Sequence, residues 1–222
     1  MSKYQLLIDD AEKTCLDLWR RGPSRTKWSS LPPQVGDSAP DISLKNQRGR
    51  SVQLSNCWNK GPALVLFWRH FGCGCGMDRA KRLREEYDRY IEEGATVVII
   101  GQGDHERAAE YAVKYELPPI DILVDPHESA YESYGLLEGK PSQIVFDAPE
   151  AFQRRDYDAF KQLAKDRRDA GRPLVDNPWL LPGEFVIDQA GILRLTYRYN
   201  YCEDFPDSRV LIAAIREASW LI

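Results

Sequence analysis

Apolar residues recur along this chain in two periods, and the switch between them outlines the elements. Tyr4, Leu7, Ala11, Cys15 and Leu18 form an apolar stripe with charges between, which predicts an amphipathic helix over residues 3 to about 20. Such a helix packs either on the main domain or on a second copy. The Pro- and Ser-rich stretch from Gly22 to Pro40 reads as a surface connection. Short strands at Asp41 to Leu44 and Ser51 to Leu54 flank the turn Asn46-Gln47-Arg48-Gly49, a hairpin pattern.

A repeating order follows. The apolar run Ala63 to Trp68 leads to a helix near 76 to 93, Thr96 to Ile100 to a helix near 105 to 115, and Ile120 to Val124 to a short helix near 128 to 134. This alternation predicts an α/β fold with a parallel sheet. From about 136 to 181 the rhythm breaks, leaving one helix pattern at Tyr157 to Ala170, so this segment reads as an insertion. Phe185 to Asp188, the turn Gln189-Ala190-Gly191 and Ile192 to Tyr199 form a final hairpin before a helix near 208 to 219. With 222 residues the chain can bury a sizeable core, and one domain with elaborations is expected.

Charge narrows the partners. The formal net charge is -4 and no long basic run appears, which argues against a nucleic-acid partner. Asp9 and Asp10 interrupt the first apolar residues, and the longest apolar run is far shorter than a bilayer requires, so a soluble protein with no membrane partner is expected. The five cysteines, Cys15, Cys57, Cys73, Cys75 and Cys202, form an odd, irregular set unlike a secreted disulfide scaffold, pointing to a reducing compartment, the cytoplasm.

Cys73-Gly74-Cys75 carries the candidate chemistry. It follows an apolar strand and opens a charged helix, where orphan N–H groups and the helix dipole favour a thiolate. Lowering a thiol pKa from about 8.5 to about 6.5 takes roughly 2.7 kcal/mol, whereas a helix end supplies about 0.3 to 1 kcal/mol. A cation is therefore required, and Arg69, His70 and Arg79 are the nearby candidates for tuning the thiolate. The competing readings are a basic surface face for Arg79, a strand-end cap for His70, and small core cysteines. A Cys73–Cys75 disulfide needs a tight turn, which Gly74 and Gly76 permit. Closing so short a loop gives only roughly 1.6 kcal/mol by the chain-entropy estimate, which suits a catalytic bond better than a staple.

Four stretches carry a resemblance: Val35 to Asp41, Phe67-Trp68-Arg69-His70-Phe71-Gly72-Cys73, Asp125 to Gly135, and Leu181-Pro182-Gly183-Glu184-Phe185-Val186-Ile187-Asp188. In order and spacing they resemble the peroxiredoxin-like (AhpC/TSA) branch of the thioredoxin superfamily. The resemblance implies a thioredoxin-like fold over residues 35 to 222, with residues 1 to 34 as an N-terminal helical extension and linker and an insertion at about 136 to 181. It further implies a cis peptide before Pro182, facing the cysteines and shaping substrate approach. The same topology returns Arg198, Tyr199 and Cys202 to the cysteine end, making Arg198 a candidate thiolate stabiliser and Cys202 a candidate third redox thiol; the competing reading is a packed loop thiol.

The departures from the family pattern bear on activity. A typical peroxiredoxin has proline seven and threonine or serine three residues before its peroxidatic cysteine; relative to Cys73 those places hold Leu66 and His70, and relative to Cys75 they hold Trp68 and Gly72. Disulfide exchange is therefore expected to outrun peroxide reduction. The expected function is a cofactor-free thiol oxidoreductase with Cys73 as leading nucleophile and Cys75 as resolving thiol, the reverse assignment remaining open. It would use a disulfide or peroxide substrate, from a protein or a small molecule, and a thiol reductant. Rival readings are a soft-metal site built from His70, Cys73, Cys75 and Cys202, a chaperone-like module, and a silent interaction domain. The N-terminal helix and the insertion are candidate surfaces for a homodimer.

Overall fold

The computed structural model describes residues 1–144, 150, 154–171 and 176–220. Its centre is β3, Ala63–Phe67, every residue of which is buried. A strand buried on both faces must have layers above and below, and the alternation assigns them. Leu64 and Leu66 enter one core with Leu83, Ile99, Val186 and Ile215, whereas Ala63, Val65 and Phe67 enter the other with Leu54, Tyr131, Tyr134 and Phe185.

β3 pairs in parallel with β4 (Thr96–Gly101), which pairs in parallel with β5 (Asp121–Val124). On its other side β3 pairs antiparallel with β6 (Gly183–Ile187), which forms a hairpin with β7 (Leu193–Arg198). The hairpin of β1 (Ser43–Asn46) and β2 (Ser51–Gln53) joins antiparallel beside β5, completing the order β2-β1-β5-β4-β3-β6-β7. The sheet is therefore mixed, with parallel pairing confined to its three central strands. α1 (Lys3–Arg21), α2 (Gly74–Glu92), α3 (His105–Lys114), α4 (Ser129–Ser133), α5 (Pro141–Ile144), α6 (Tyr157–Asp169), α7 (Ser208–Trp220) and a 3-10 turn at Leu54–Cys57 complete the described elements. None of these helices is long and apolar enough to cross a membrane.

The segment after β3 is held firmly although it is not a strand. The Trp68 amide donates to Ile100 O, the Tyr131 hydroxyl donates to both Trp68 O and Ile100 O, and Phe71 lies against Gly101. A Cβ on Gly101 would sit 2.8 Å from the Phe71 ring, so glycine is what allows that approach.

α1 covers the insertion of the same chain. The Trp19 ring stacks between Phe160 of α6 (4.0 Å, 7°) and Trp179 (4.4 Å, 14°), and the Trp179 indole donates to Leu18 O at 2.7 Å. Arg168 of α6 pairs with the buried Glu12 of α1, and Arg21 pairs with the buried Glu138. The buried face is Ala11, Glu12, Cys15 and Trp19; Tyr4, at the start of the expected stripe, is exposed.

Replacing Trp19 by Ala should lower stability by about 3–5 kcal/mol, the usual cost of deleting a large buried aromatic. Urea unfolding measures that loss. Alkylation of the reduced protein at Cys73 should accelerate in parallel, since Trp19 closes one wall of the cysteine cavity.

Candidate active site

Cys73 ends the turn after β3, its amide donating to His70 O at 3.1 Å, and stands as the N-cap of α2; Cys75 is the second residue of that helix. Gly74 begins the helix, so Gly76 does not delay it. The Cα atoms of Cys73 and Cys75 are 5.4 Å apart and the two sulfurs form a disulfide, a separation inside the ordinary bridging range. Both cysteines are buried, and Cys202 packs against them with Phe205 alongside.

Of the three expected cations, Arg69 alone meets the sulfurs. Its Nη1 donates to Cys73 Sγ at 3.0 Å and lies 3.9 Å from Cys75 Sγ, its Nε donates to Leu180 O at 2.9 Å, and its Nη2 donates to Pro178 O. The guanidinium is buried and has no carboxylate within ion-pair distance among the described residues. Burial pulls its pKa downward while the Cys202 sulfur opposes that shift. Two carbonyls and a sulfur therefore surround a buried positive charge, and a thiolate on Cys73 would supply the missing negative one.

The other two cations are corrected. Burial, reinforced by Arg69, Arg167 and Arg107, drives the His70 pKa well below the usual histidine value, so the ring is neutral at pH 7 and adds no positive charge. Its Nδ1 has no hydrogen-bond partner among the described residues. Arg79 is neither a solvated surface residue nor directed at the thiols. It is buried, with Nε on Glu184 at 2.7 Å and Nη1 on Glu86 at 3.2 Å, and Tyr199 donates to the same Glu184 oxygen at 2.6 Å. Two carboxylates thus neutralise its charge before it can act on Cys75.

Pro182 lines a small cavity with Cys75, Gly76 and Cys202, but the bond before it is trans. The chain enters this proline extended: the Leu181 amide donates to Leu137 O, and Leu180 bridges Glu138. An extended residue before proline is the ordinary trans arrangement, and the pairing with the insertion holds it.

Arg198 does return to the cysteine end of the sheet, opposite Gly183, yet its side chain lies on the other face. It donates to Tyr134 O at 2.8 Å and Pro33 O at 2.6 Å, with the guanidinium over Phe185. The two-residue period of a strand explains the correction, because Tyr199, one position on, takes the cysteine side.

Sequence reasoning did not find the walls. Trp19, Ile144, Phe160, Leu163, Arg167 and Pro178 close a cavity of about 90 Å³ over the cysteines. Trp19 lies one turn beyond Cys15 on the same helix face, and that spacing was the available signal; the insertion residues offered none. Cys15 and Cys57 stand apart from the pair. Burial holds the Cys15 thiol well above its usual pKa and pushes Cys57 up to about 11, so both are unreactive near neutrality. Among the described residues no group of three or more His, Cys, Asp and Glu side chains is placed to hold a metal ion.

A mixed sheet with a cysteine pair at the β3–α2 junction defines a thioredoxin-like thiol protein. A model of the AhpC/TSA family matches residues 35–196, and the chain belongs to that family. It is 29% identical over 105 residues to the chloroplastic thioredoxin-like protein AAED1 of Arabidopsis thaliana, covering 47% of this chain and 42% of the relative. It is 31% identical over 114 residues to the chloroplastic peroxiredoxin Q of Sedum lineare, covering 51% and 58%. The chain thus spans about half the length of these relatives. The crystal structure of the peroxidoxin BcpB of Mycobacterium tuberculosis has the same fold, with a TM-score of 0.57 at 16% identity over 83% of this chain and 97% of that one.

Replacing Arg69 by Met should raise the Cys73 pKa in the reduced protein and move the alkylation profile to higher pH. At pH 7 iodoacetamide labelling should slow about three- to tenfold, since one pKa unit changes the thiolate fraction tenfold and the more basic thiolate recovers part of the rate. Arg69→Lys should restore much of the profile. An unshifted profile in a folded Arg69→Met protein would remove Arg69 as the stabilising cation.

Proposed function

We propose that this protein is a thiol-dependent oxidoreductase whose Cys73 and Cys75 cycle between dithiol and disulfide. The observation that carries the reading is the pairing of these two sulfurs at the start of α2 against the buried Arg69 guanidinium. Cys73 is the nucleophile: it holds the N-cap position and the closer contact to Arg69. Its thiolate attacks a disulfide sulfur and displaces one thiolate of the substrate. Cys75 then attacks Cys73 Sγ, releases the second, and closes the disulfide. An external thiol returns the pair to the reduced state.

Burial bears on the substrate. The cysteines are about 5–6% exposed beneath α1 and the insertion, so a small disulfide or a peroxide reaches them with less rearrangement than a folded protein would. Peroxide reduction is the second reading, favoured by family membership. In that case Cys73 attacks the peroxide, water or an alcohol leaves, and Cys75 resolves the sulfenic acid. Disulfide exchange ranks first because the side chain three residues before Cys73 is the neutral, buried His70, which provides no hydroxyl to orient a peroxide. Placement in a reducing cytoplasm, where thiol reductants abound, agrees with Cys15, Cys57 and Cys202 remaining free.

Stopped-flow measurement of thiol loss separates the two readings. Oxidised glutathione should oxidise the reduced protein with loss of two thiols, and hydrogen peroxide should react more slowly than with proteins bearing the full proline–threonine–cysteine pattern. Cys73→Ser should remove the fast reaction and leave only slow oxidation, whereas Cys75→Ser should trap a mixed disulfide with glutathione. Fast peroxide consumption with negligible exchange would reverse the ranking.

A further inference from the structure

The oxidised pair is not symmetric toward its third neighbour. Cys202 lies in the loop after β7, and that loop is fastened at several points: the Cys202 amide donates to Gln143 O at 2.9 Å, Gln143 Nε2 donates to Asn200 O at 2.7 Å, and Asp204 accepts from the Asn200 amide and the Tyr197 hydroxyl. The Cys202 thiol donates to Ile144 O at 3.0 Å and belongs to one buried cluster with Cys73 and Cys75. On one side of the disulfide, Cys75 and Cys202 share a small cavity with Pro182, Gly76 and Phe205, and Cys73 is not among its walls. Arg69 also lines that cavity, and all three cysteines line the larger cavity over the pair, so the asymmetry lies in distance: Arg69 Nη1 is 3.0 Å from Cys73 Sγ against 3.9 Å from Cys75 Sγ.

We propose that Cys202 is a third redox thiol that attacks Cys75 Sγ in the oxidised protein, forming a Cys75–Cys202 disulfide and releasing Cys73 as a thiolate beside Arg69. The proposal rests on the Cys73–Cys75 cycle above and names how its product is passed on. Thiol–disulfide exchange favours attack on the sulfur whose partner is the better leaving group, and the cation makes that partner Cys73. One S–S bond breaks and one forms, so the step is redox-neutral. The Cys202 proton is lost to solvent and the electron pair of the old bond leaves on Cys73. The oxidising equivalent moves from an enclosed pair to the 200–206 loop, whose Glu203 is exposed, while Cys73 is re-armed without a reductant having entered the cavity. Burial keeps the Cys202 thiol protonated longer than an open one, and the nearby Arg69 charge opposes that effect.

The test maps disulfides in acid-quenched full-length protein after incubation with oxidised glutathione, using mass spectrometry with fragmentation to distinguish Cys73 from Cys75. In Cys73→Ser, Cys75 and Cys202 should pair. In Cys75→Ser, the step from the Cys73–glutathione mixed disulfide to a Cys73–Cys202 bond should be at least about tenfold slower than the corresponding step in Cys73→Ser, since glutathione leaves in both and only Cys75 shares the small cavity with Cys202. Cys202→Ser should still form Cys73–Cys75, but its reduction by added thiol should slow severalfold. Wild-type protein at redox equilibrium should contain a measurable Cys75–Cys202 fraction with Cys73 free, a readout that needs no substitution to be tolerated. Free Cys75 and Cys202 in a folded Cys73→Ser protein, or only the Cys73–Cys75 bond in wild type, would overturn the relay and leave the two-cysteine cycle standing. Equal pairing rates in the Cys73 and Cys75 variants would overturn its direction. Failure of wild type to form any bond involving Cys73 would instead count against the underlying cycle.

Discussion

A buried guanidinium with no carboxylate at ion-pair distance is costly unless its surroundings are arranged around it, and among the described residues Arg69 is such a group. It lies just beyond β3, donates to the carbonyls of Pro178 and Leu180 at the exit of the insertion, and reaches Cys73 at the start of α2. Three pieces of chain distant in sequence are thereby tied to one side chain. The arrangement leaves a positive charge whose natural partner is a thiolate, so the group that organises the site is also the one that biases its chemistry. Burial, with Arg69 and Arg167 nearby, keeps His70 neutral, so the positive charge next to the sulfurs comes from arginine.

Directly beneath, a second buried charge is fully neutralised. Arg79 is held by Glu184 and Glu86, with Tyr199 on Glu184, which joins α2 to β6 and to the end of β7. These bonds link the helix carrying Cys75 to the strand following Pro182, although Arg79 Nη2 and Glu184 Oε2 have no hydrogen-bond partner among the described residues. The two arginines therefore divide the work: Arg79, with carboxylates, acts on the scaffold, and Arg69, without them, acts on sulfur.

The cover over the site decides what can enter. α1 and α6 meet through the Trp19, Phe160 and Trp179 stack, of which Trp19 and Phe160 line the cysteine cavity with Ile144, Leu163 and Pro178. This cover lies partly outside the AhpC/TSA match, because α1 precedes residue 35. The stack that holds the cover in place therefore also shields the thiols.

The local pattern of the chain determined most of the architecture. The amphipathic period placed α1, α2, α3, α6 and α7 within about two residues, and the doubly apolar Ala63–Phe67 run marked the central strand, because burial on both faces leaves no polar alternation. Cys73-Gly74-Cys75 was legible as the candidate site for the same local reason: two thiols and a glycine at a strand–helix junction need no distant partner to be recognised. What only the tertiary structure decided depends on contacts between residues far apart in sequence. Arg69, His70 and Arg79 were equivalent as cations near the cysteines; one met sulfur, one was neutralised by burial and one was claimed by Glu184, a partner 105 positions away. The bond before Pro182 is trans because the insertion pairs with the chain that enters it. Arg198 was brought to the right end of the sheet and turned to the wrong face, while Cys202 came to rest against the disulfide. Periodicity is a property of neighbours along the chain, whereas the environment of a charge or a thiol is set by whatever the fold packs around it.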